Sequence, residues 1–489
     1  MGAGAKKTVS HAGIYALGNV LRNAVSFIML PIYTRYLSPA DYGTIELLSM
    51  LVDFVSIIFG MRLSEAIFRY YSSATSDIDK KTVISTSLFL SVLLSGIGVI
   101  LVMLFSAPLA HLMFGDYTYS AFVKLFALTM VLQALIEVPM IYIRVQERPW
   151  LFIGFSLFRL VLQLGLNIYL VVIKGMHVEG VIYSALISGG VMACLLLLYV
   201  ISTVGVHITY KMTASLMRFS LPLMLASLGS FYLTFGDRYF LRVFGNLTDV
   251  GIYALGYKFG FILIVLMWDP FEKIWATQRY EVYKRPDALI VFQRTFVFMS
   301  VLMLSAALGI SLFVKDLLKI MSDPAFYQAY AIVPIVLAAY VIQAWTSYCY
   351  FGLLLGKNTI QITYGSAIAV LVITIAYLSL IPLYGVFGAA WATVIGFLAR
   401  LYWVYRKSKL DYDMQLPWNK VWLLSALAIC IYAASWLAPE EFLPSVLVRT
   451  FLLLLYFVIF MKLPILSASE KNAVMRVLKN PKSLRQAFG

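Results

Sequence analysis

Three basic residues lie deep within long apolar segments. Arg22 stands in the stretch GNVLRNAVSF, inside a segment that is apolar from Ala12 to Ile32, and Arg159 and Lys258 stand in two later segments of the same kind. At a helical rise of about 1.5 Å per residue, each lies roughly 15 Å from one end of its segment, near the midplane of a bilayer. A cation at that depth costs about 2.5–3.5 kcal/mol on insertion scales. Three of them together favour a water-filled cavity that accepts an anion.

Polar side chains share helical faces with two of these cations. Around Arg22 and around Arg159, steps of three, four and seven residues bring them onto one face. The side chains that we predict to contact a ligand beside the three cations are Tyr15, Asn19, Gln163 and Asn167. Hydroxyl and amide groups also join helices to one another in membranes, so a structural role is the alternative for each.

Two carboxylates, Glu46 and Asp53, follow on the next predicted helix. We predict them as candidates for coupling to a proton or sodium gradient, because a carboxylate inside a membrane protein can change charge during a cycle. In the alternative, they pair with the buried cations and make some of those cations structural. Other charges near helix ends, among them Glu137, Asp237 and Arg238, are expected to be solvated at the membrane interface.

The elements that carry these residues are predicted to be membrane helices. Of the 489 residues, 62% are hydrophobic and 12% are charged, whereas a soluble protein carries roughly 25% charged residues. Apolar runs of about 20 residues, each long enough to cross a hydrocarbon core, recur from end to end. The sequence therefore predicts an all-α polytopic membrane protein with about fourteen transmembrane helices. The expected spans are 12–34, 40–60, 82–105, 119–143, 150–173, 178–203, 216–243, 249–275, 290–313, 327–355, 359–381, 385–406, 419–437 and 443–462.

Lysine and arginine are distributed unevenly over the predicted loops. With the N-terminus inside, most of the 38 basic residues fall on the cytoplasmic side, which is the usual bias of membrane proteins. This bias predicts that both termini are cytoplasmic. It also explains the net charge of +15 without a nucleic-acid partner.

The chain also repeats itself at a constant offset. SPADYG (38–43) and NLTDVG (246–251) are 208 positions apart, and so are VEG (178–180) and VFG (386–388). Six helices separate equivalent points, so the copies would be parallel repeats, a design that places the substrate near the midplane. The alternative is that well-capped helix starts resemble one another by chance. The predicted domains are a six-helix lobe 1–208, a second six-helix lobe 209–415, two additional helices 416–462 and a basic cytoplasmic tail 463–489.

Motifs for catalysis are missing from the sequence. The four histidines lie at loops or helix ends without a metal-ligand neighbour, and the three cysteines fall within apolar segments. P-loop, GxSxG and HExxH motifs do not occur, so the sequence predicts a secondary transporter and not an enzyme. No cofactor and no metal are expected, apart from the coupling ion.

Three stretches resemble a known family. FIMLPIYTRYLSPADYGTIELL (27–48), GVIYSAL (180–186) and YGVFGAAWATVIG (384–396) are similar to sequences of bacterial oligosaccharide flippases of the Wzx type. These form part of the polysaccharide transporter family, in the multidrug/oligosaccharidyl-lipid/polysaccharide exporter superfamily. The resemblance implies two six-helix lobes around a cationic lumen. Arg22 lies where such flippases carry lumen-facing basic residues, whereas Arg159 and Lys258 match only by helix and depth.

The resemblance also implies a substrate and a location. It implies transport of an undecaprenyl-pyrophosphate-linked oligosaccharide, for O-antigen or exopolysaccharide, from the inner to the outer leaflet of the bacterial cytoplasmic membrane. The implied partners are this lipid-linked oligosaccharide, membrane lipid and other polysaccharide assembly proteins. Two alternatives stay open. One is a cation-coupled multidrug exporter of the same superfamily, whose cationic substrates would bind to carboxylates and aromatic faces. The other is a membrane glycan polymerase or transferase.

Overall fold

The computed structural model describes residues 29–60, 63–439 and 441–462. Most of the first predicted span, 12–34, lies outside these ranges, and so does the tail 463–489. Every regular element in the described ranges is helical, and no strand occurs in them. This confirms the all-α prediction.

The helices follow one another with short connections. We label them α1 (29–36), α2 (Pro39–Gly60), α3 (Leu63–Ser73), α4 (Asp77–Leu104), α5 (Ser106–Phe114), α6 (Ser120–Val145), α7 (Pro149–Asn167), α8 (His177–Val204), α9 (Tyr210–Phe244), α10 (Leu247–Leu263), α11 (Asp269–Tyr283), α12 (Ala288–Met321), α13 (Ala329–Leu355), α14 (Ile360–Asp411), α15 (Trp418–Ala434) and α16 (Phe442–Lys462). Single π-helical stretches, Ile168–Ile173 and Ile264–Trp268, extend α7 and join α10 to α11.

Twelve helical stretches in the described part of the chain are long and apolar enough to cross a membrane. One of them, α14, covers two predicted spans, 359–381 and 385–406, so all the predicted spans after the first are present. The chain is therefore a multi-pass membrane protein.

A sharp turn divides α14 into two limbs. Gly385 has φ 54° and ψ −127°, a backbone conformation that residues other than glycine rarely adopt. Three residues later, a Cβ on Gly388 would overlap the carbonyl oxygen of Leu380, so the returning limb packs directly against the first. Pro382 stands just before the turn and removes one backbone donor there.

The internal contacts of the chain divide it into two compact units, Met1–Gly251 and Ile252–Gly489. The predicted boundary at 208/209 was drawn from the sequence repeat and not from contacts, and it stays a prediction. In the first unit, α3, α4, α6 and α8 share a buried apolar cluster around Ile67, Ile84 and Ile141. A second cluster joins α6, α7 and α8 around Ile143 and Leu196.

In the second unit, α15 and α16 pack on α12. The apolar part of this contact is a cluster around Leu308, Leu312 and Tyr456. A buried ion pair adds to it: Nη1 of Arg449 on α16 donates to Oδ2 of Asp316 on α12. The same carboxylate accepts a hydrogen bond from the hydroxyl of Ser445 at 3.3 Å. Removing one member would strand the other charge in the interior.

The two repeated motifs begin helices in the same way. Before α2, the hydroxyl of Ser38 accepts from the backbone N–H of Asp41 at 3.1 Å, and the backbone N–H of Ser38 donates to the Asp41 carboxylate at 3.1 Å. Before α10, Asn246 and Asp249 make the same pair of bonds, at 2.9 and 3.3 Å. Reciprocal capping satisfies amide groups that the first turn leaves open.

Candidate functional site

A polar cavity of about 580 Å³ lies within the first unit. Its walls come from α2, α3, α4, α6, α7, α8 and α9. Two aromatic rings of α9, Phe231 and Phe235, line it together with polar and apolar residues of the other helices. The polar lining residues are Ser49, Asp53, Ser56, Ser64, Ser91, Ser95, Thr129, Gln133, Glu137 and Arg159.

Two carboxylates and one guanidinium group line this cavity. Asp53 is exposed to it from α2, Glu137 comes from α6, and Arg159 comes from α7. Their formal charges sum to one negative charge when all three are ionised. Carboxylates in a confined polar space can exchange a proton or hold a small cation. A phosphate group would meet Arg159 here together with two groups of its own sign.

Two serines add polar surface to the same wall. Ser91 and Ser95 of α4 are 7% and 4% exposed, and both line the cavity. A hydroxyl at the wall of a cavity can bond to water or to a ligand there.

The predicted contact residues are found in different surroundings. Arg159 and Asp53 line the cavity, whereas Gln163, one turn further along α7, is half-buried outside its lining. Asn167 is fully buried. Tyr15, Asn19 and Arg22 lie outside the described residues, so their predicted roles stay predictions.

Asn167 is part of a local hydrogen-bond network. Its Oδ1 accepts from the hydroxyls of Ser184 at 2.8 Å and Tyr33 at 3.3 Å. Its Nδ2 donates to the carbonyl oxygen of Gln163 at 2.9 Å. These bonds join the end of α7 to α8 and α1, which is the structural alternative for this side chain.

Glu46 lies in a second charged group of the first unit. Its carboxylate is 3.9 Å from Nε of Arg238, whose Nη1 donates to Oδ1 of Asp237 at 2.7 Å and to the carbonyl oxygen of Thr234 at 2.9 Å. Asp237 and Arg238 are 0% and 3% exposed. The expectation that they are solvated at the interface is wrong, because packing of α2 against α9 encloses them with one another and with Glu46.

The family of the chain can now be stated. A family model described as polysaccharide biosynthesis protein matches residues 9–268, more than half of the chain. The chain belongs to this family. A search of curated protein sequences found no significant match to the chain. The family match confirms the predicted membership of a polysaccharide family.

Two solved structures are similar in fold to this chain. The lipid II flippase MurJ, in an inward closed conformation, is 14% identical with a TM-score of 0.71, over 92% of this chain and 98% of that one. A multidrug resistance MATE family transporter, in an inward-facing conformation, is 16% identical with a TM-score of 0.62, over 79% and 94%.

Lys258 belongs to the second unit of this family member. It lies half-buried on α10 between Gly256 and Gly260. A Cβ on Gly256 would lie 2.7 Å from Cδ1 of Ile332, and one on Gly260 would lie 2.6 Å from Cε2 of Tyr340. The two glycines therefore serve close packing of α10 against α13. The predicted convergence of Lys258 with Arg159 stays a prediction.

One residue of the cavity was missed by the sequence interpretation. Glu137 was expected at the inner interface, yet it lines the cavity with Gln133 and Thr129. A signal was available, since these three residues follow one another at steps of four along α6. Among the described residues, no group of three His, Cys, Asp or Glu side chains could hold a metal ion.

Proposed function

We propose that the chain is a flippase that carries undecaprenyl-pyrophosphate-linked oligosaccharide from the inner to the outer leaflet by alternating access through a cationic central cavity. The observation that carries this proposal is the likeness to the lipid II flippase over 92% of the chain. The same likeness covers 98% of the flippase chain. The match to the multidrug transporter covers 79%.

In this proposal the pyrophosphate binds to Arg22, Arg159 and Lys258. Charge-assisted hydrogen bonds to a phosphate are about twice as strong as neutral ones, which compensates for burying these cations. Tyr15, Asn19 and Gln163 contact the sugars. Asp53 and Glu137, which share the cavity with Arg159, balance its positive charge until the substrate binds.

A cell-based measurement tests the phosphate contacts. Arg22→Ala, Arg159→Ala and Lys258→Ala are expected to lower surface glycan by about tenfold or more, since a hydrogen bond to a charged group contributes about 1.5–3 kcal/mol. Lys124→Ala is the matched control, because Lys124 is exposed on α6 and does not line the cavity. Membrane levels of each variant are measured by immunoblot. Normal surface glycan in all three variants would refute the proposed site.

The energy source that we propose is an ion gradient acting on Asp53. Its exposure to the cavity supports this choice over Glu46, which is 12% exposed and beside Arg238. In vesicles with an imposed proton or sodium gradient, Asp53→Asn should abolish the dependence of transport on the gradient. Glu46→Gln should keep it. The opposite pattern would transfer the coupling role to Glu46.

The location that we propose is the bacterial cytoplasmic membrane, with both termini in the cytoplasm. The excess of lysine and arginine in alternate loops supports this orientation. A reporter that fluoresces only in the cytoplasm, fused after residue 489, should fluoresce. A reporter active only outside the cytoplasm should be active when fused in the loop at Gly115 and silent at the C-terminus.

A second candidate function is export of an organic cation. Two features of the cavity favour this function. The formal charges of its lining residues sum to one negative charge, and the rings of Phe231 and Phe235 can face a cation. Deletion of the gene would then increase sensitivity to cationic drugs and leave surface glycan unchanged. The flippase proposal requires loss of surface glycan with unchanged drug sensitivity.

A further inference from the structure

A basic and aromatic stripe runs along the second limb of α14. Arg400, Trp403 and Lys407 are separated by three and four residues, so they share one face of the helix. The Nζ of Lys407 lies 5.0 Å from the centre of the Trp403 ring, and Cζ of Arg400 lies 5.8 Å from the centre of the Tyr350 ring. The stripe lies near the end of α14 at Asp411.

The first limb of α14 supplies the opposite wall. A Cβ on Gly365 would lie 3.0 Å from Cγ2 of Val404 and 3.3 Å from Cδ1 of Trp403, so the two limbs approach closely at this glycine. One turn before it stands Gln361. The closeness of the limbs places Gln361 beside the stripe.

Three polar atoms in this group are buried without a hydrogen-bond partner among the described residues. They are Nε of Arg400, Nε1 of Trp403 and Oε1 of Gln361. Two of the three are N–H donors on one helix face. Buried donors are rarely left without an acceptor, and acceptor oxygens supplied from outside the chain would satisfy both.

The positive charge of this region is not neutralised by the described part of the chain. No carboxylate there lies within 4 Å of Arg400 or Lys407, whereas Lys409 pairs with Asp413 at 3.5 Å. Tyr364 and Tyr402, one on each limb at the same end of α14, are 50% and 66% exposed. Exposed tyrosines near the end of a membrane helix are typical of the level of lipid headgroups.

We propose that Arg400, Trp403 and Lys407 bind the phosphate of an anionic phospholipid headgroup. The guanidinium group and the indole N–H donate to phosphate oxygens, and the ammonium group of Lys407 adds a second positive charge. A membrane lipid fits better than free phosphate because the stripe lies within a membrane-spanning helix. The excess of basic residues at this end of α14 assigns the lipid to the cytoplasmic leaflet.

Lipid titration of the purified full-length protein tests this assignment. Retention of phosphatidylglycerol and of phosphatidylcholine in mixed micelles is compared by native mass spectrometry. We expect the wild type to retain phosphatidylglycerol preferentially. Arg400→Gln combined with Lys407→Gln should weaken that binding by about 25-fold, because one basic residue near an anionic surface contributes about fivefold.

Arg406→Gln is the matched control. Arg406 is exposed on the same limb and lies outside the Arg400–Lys407 face, so this variant should retain phosphatidylglycerol as the wild type does. Trp403→Phe keeps the ring and removes the N–H, and it should weaken binding without loss of folding. If the double variant does not fold, Trp403→Phe and Lys407→Gln alone carry the test.

Several results would overturn the proposal. One is equal retention of phosphatidylglycerol by the wild type and by the Arg400 and Lys407 variants. Another is a loss in Arg406→Gln as large as theirs, which would indicate general surface charge. A third is thermal stabilisation by inorganic phosphate alone that equals the effect of phosphatidylglycerol, which would identify the ligand as free phosphate.

Discussion

Gly43 and Gly251 lie against each other where α2 and α10 begin. A Cβ on Gly43 would overlap the carbonyl oxygen of Leu247, and a Cβ on Gly251 would overlap that of Pro39. Each Cβ would also lie 3.0 Å from the backbone nitrogen of the other glycine. Pro39 and Leu247 are themselves 208 positions apart, so the contact is reciprocal, as at a two-fold axis. The likeness of SPADYG to NLTDVG therefore reflects backbone contact as well as helix capping.

The first prediction follows from this contact. Gly43→Ala and Gly251→Ala should each lower the stability of the purified protein by about 1–3 kcal/mol, because a methyl group cannot fit between the two backbones. Thermal unfolding measures the change. Gly96→Ala is the control, since no atom lies within 4 Å of a Cβ built there, and alanine favours a helix. Equal thermal midpoints for Gly43→Ala and Gly96→Ala would contradict the prediction.

The second prediction concerns the ion pair between α12 and α16. Asp316→Ala or Arg449→Ala alone should cost about 3–5 kcal/mol, because each leaves the other charge buried without its partner. The double variant should cost less than the sum of the two. Thr450→Ala on α16 is a control, since Thr450 is exposed and bonds within its own helix. Strictly additive losses would mean that the pair does not interact.

The third prediction separates structure from ligand contact at Asn167. Asn167→Ala should lower stability by about 1–3 kcal/mol, since Ser184 and Tyr33 lose their acceptor. Gln163→Ala keeps the backbone carbonyl that accepts from Asn167, so it should leave stability unchanged and lower transport. A variant at Asn167 that unfolds at the wild-type temperature but transports poorly would favour the predicted ligand contact over the structural role.

The fourth prediction concerns the turn within α14. Gly385→Ala should destabilise the protein by about 1–3 kcal/mol through backbone strain alone, because nothing lies within 4 Å of a Cβ at this position. Gly165→Ala is the control, with the same open surroundings and ordinary helical dihedrals. The measurement is again thermal unfolding. If the two alanine variants unfold at the same temperature, the turn does not require its positive φ.

The sequence predicted the secondary structure well because a bilayer imposes a simple requirement. A spanning segment must satisfy its backbone groups internally and present about 20 apolar residues, and both properties are local. For this reason the spans from 40–60 to 443–462 reappear as helices. The turn at Gly385 is also local, since a glycine and Pro382 lie between two apolar runs.

The candidate site was predicted less completely. Helical spacing and depth singled out Arg159 and Asp53, and both line one cavity, while their predicted roles stay predictions. Glu137 was missed because its depth along α6 suggested the interface. Arg238 was misassigned for a related reason: its burial depends on α2, which is distant in sequence and supplies Glu46.

What the sequence by itself determined is the class of the protein, the order of its helices and the repeat of 208 positions, because apolar length, charge bias and capping act over a few residues. What only the tertiary structure decided is which residues surround each polar group. Asp53, Glu137 and Arg159 share a cavity, Arg238 is enclosed with Asp237 and Glu46, and Asn167 is bonded within its unit. These outcomes depend on which helices pack together, and packing is settled by side-chain shape and by the cost of an unpaired buried charge.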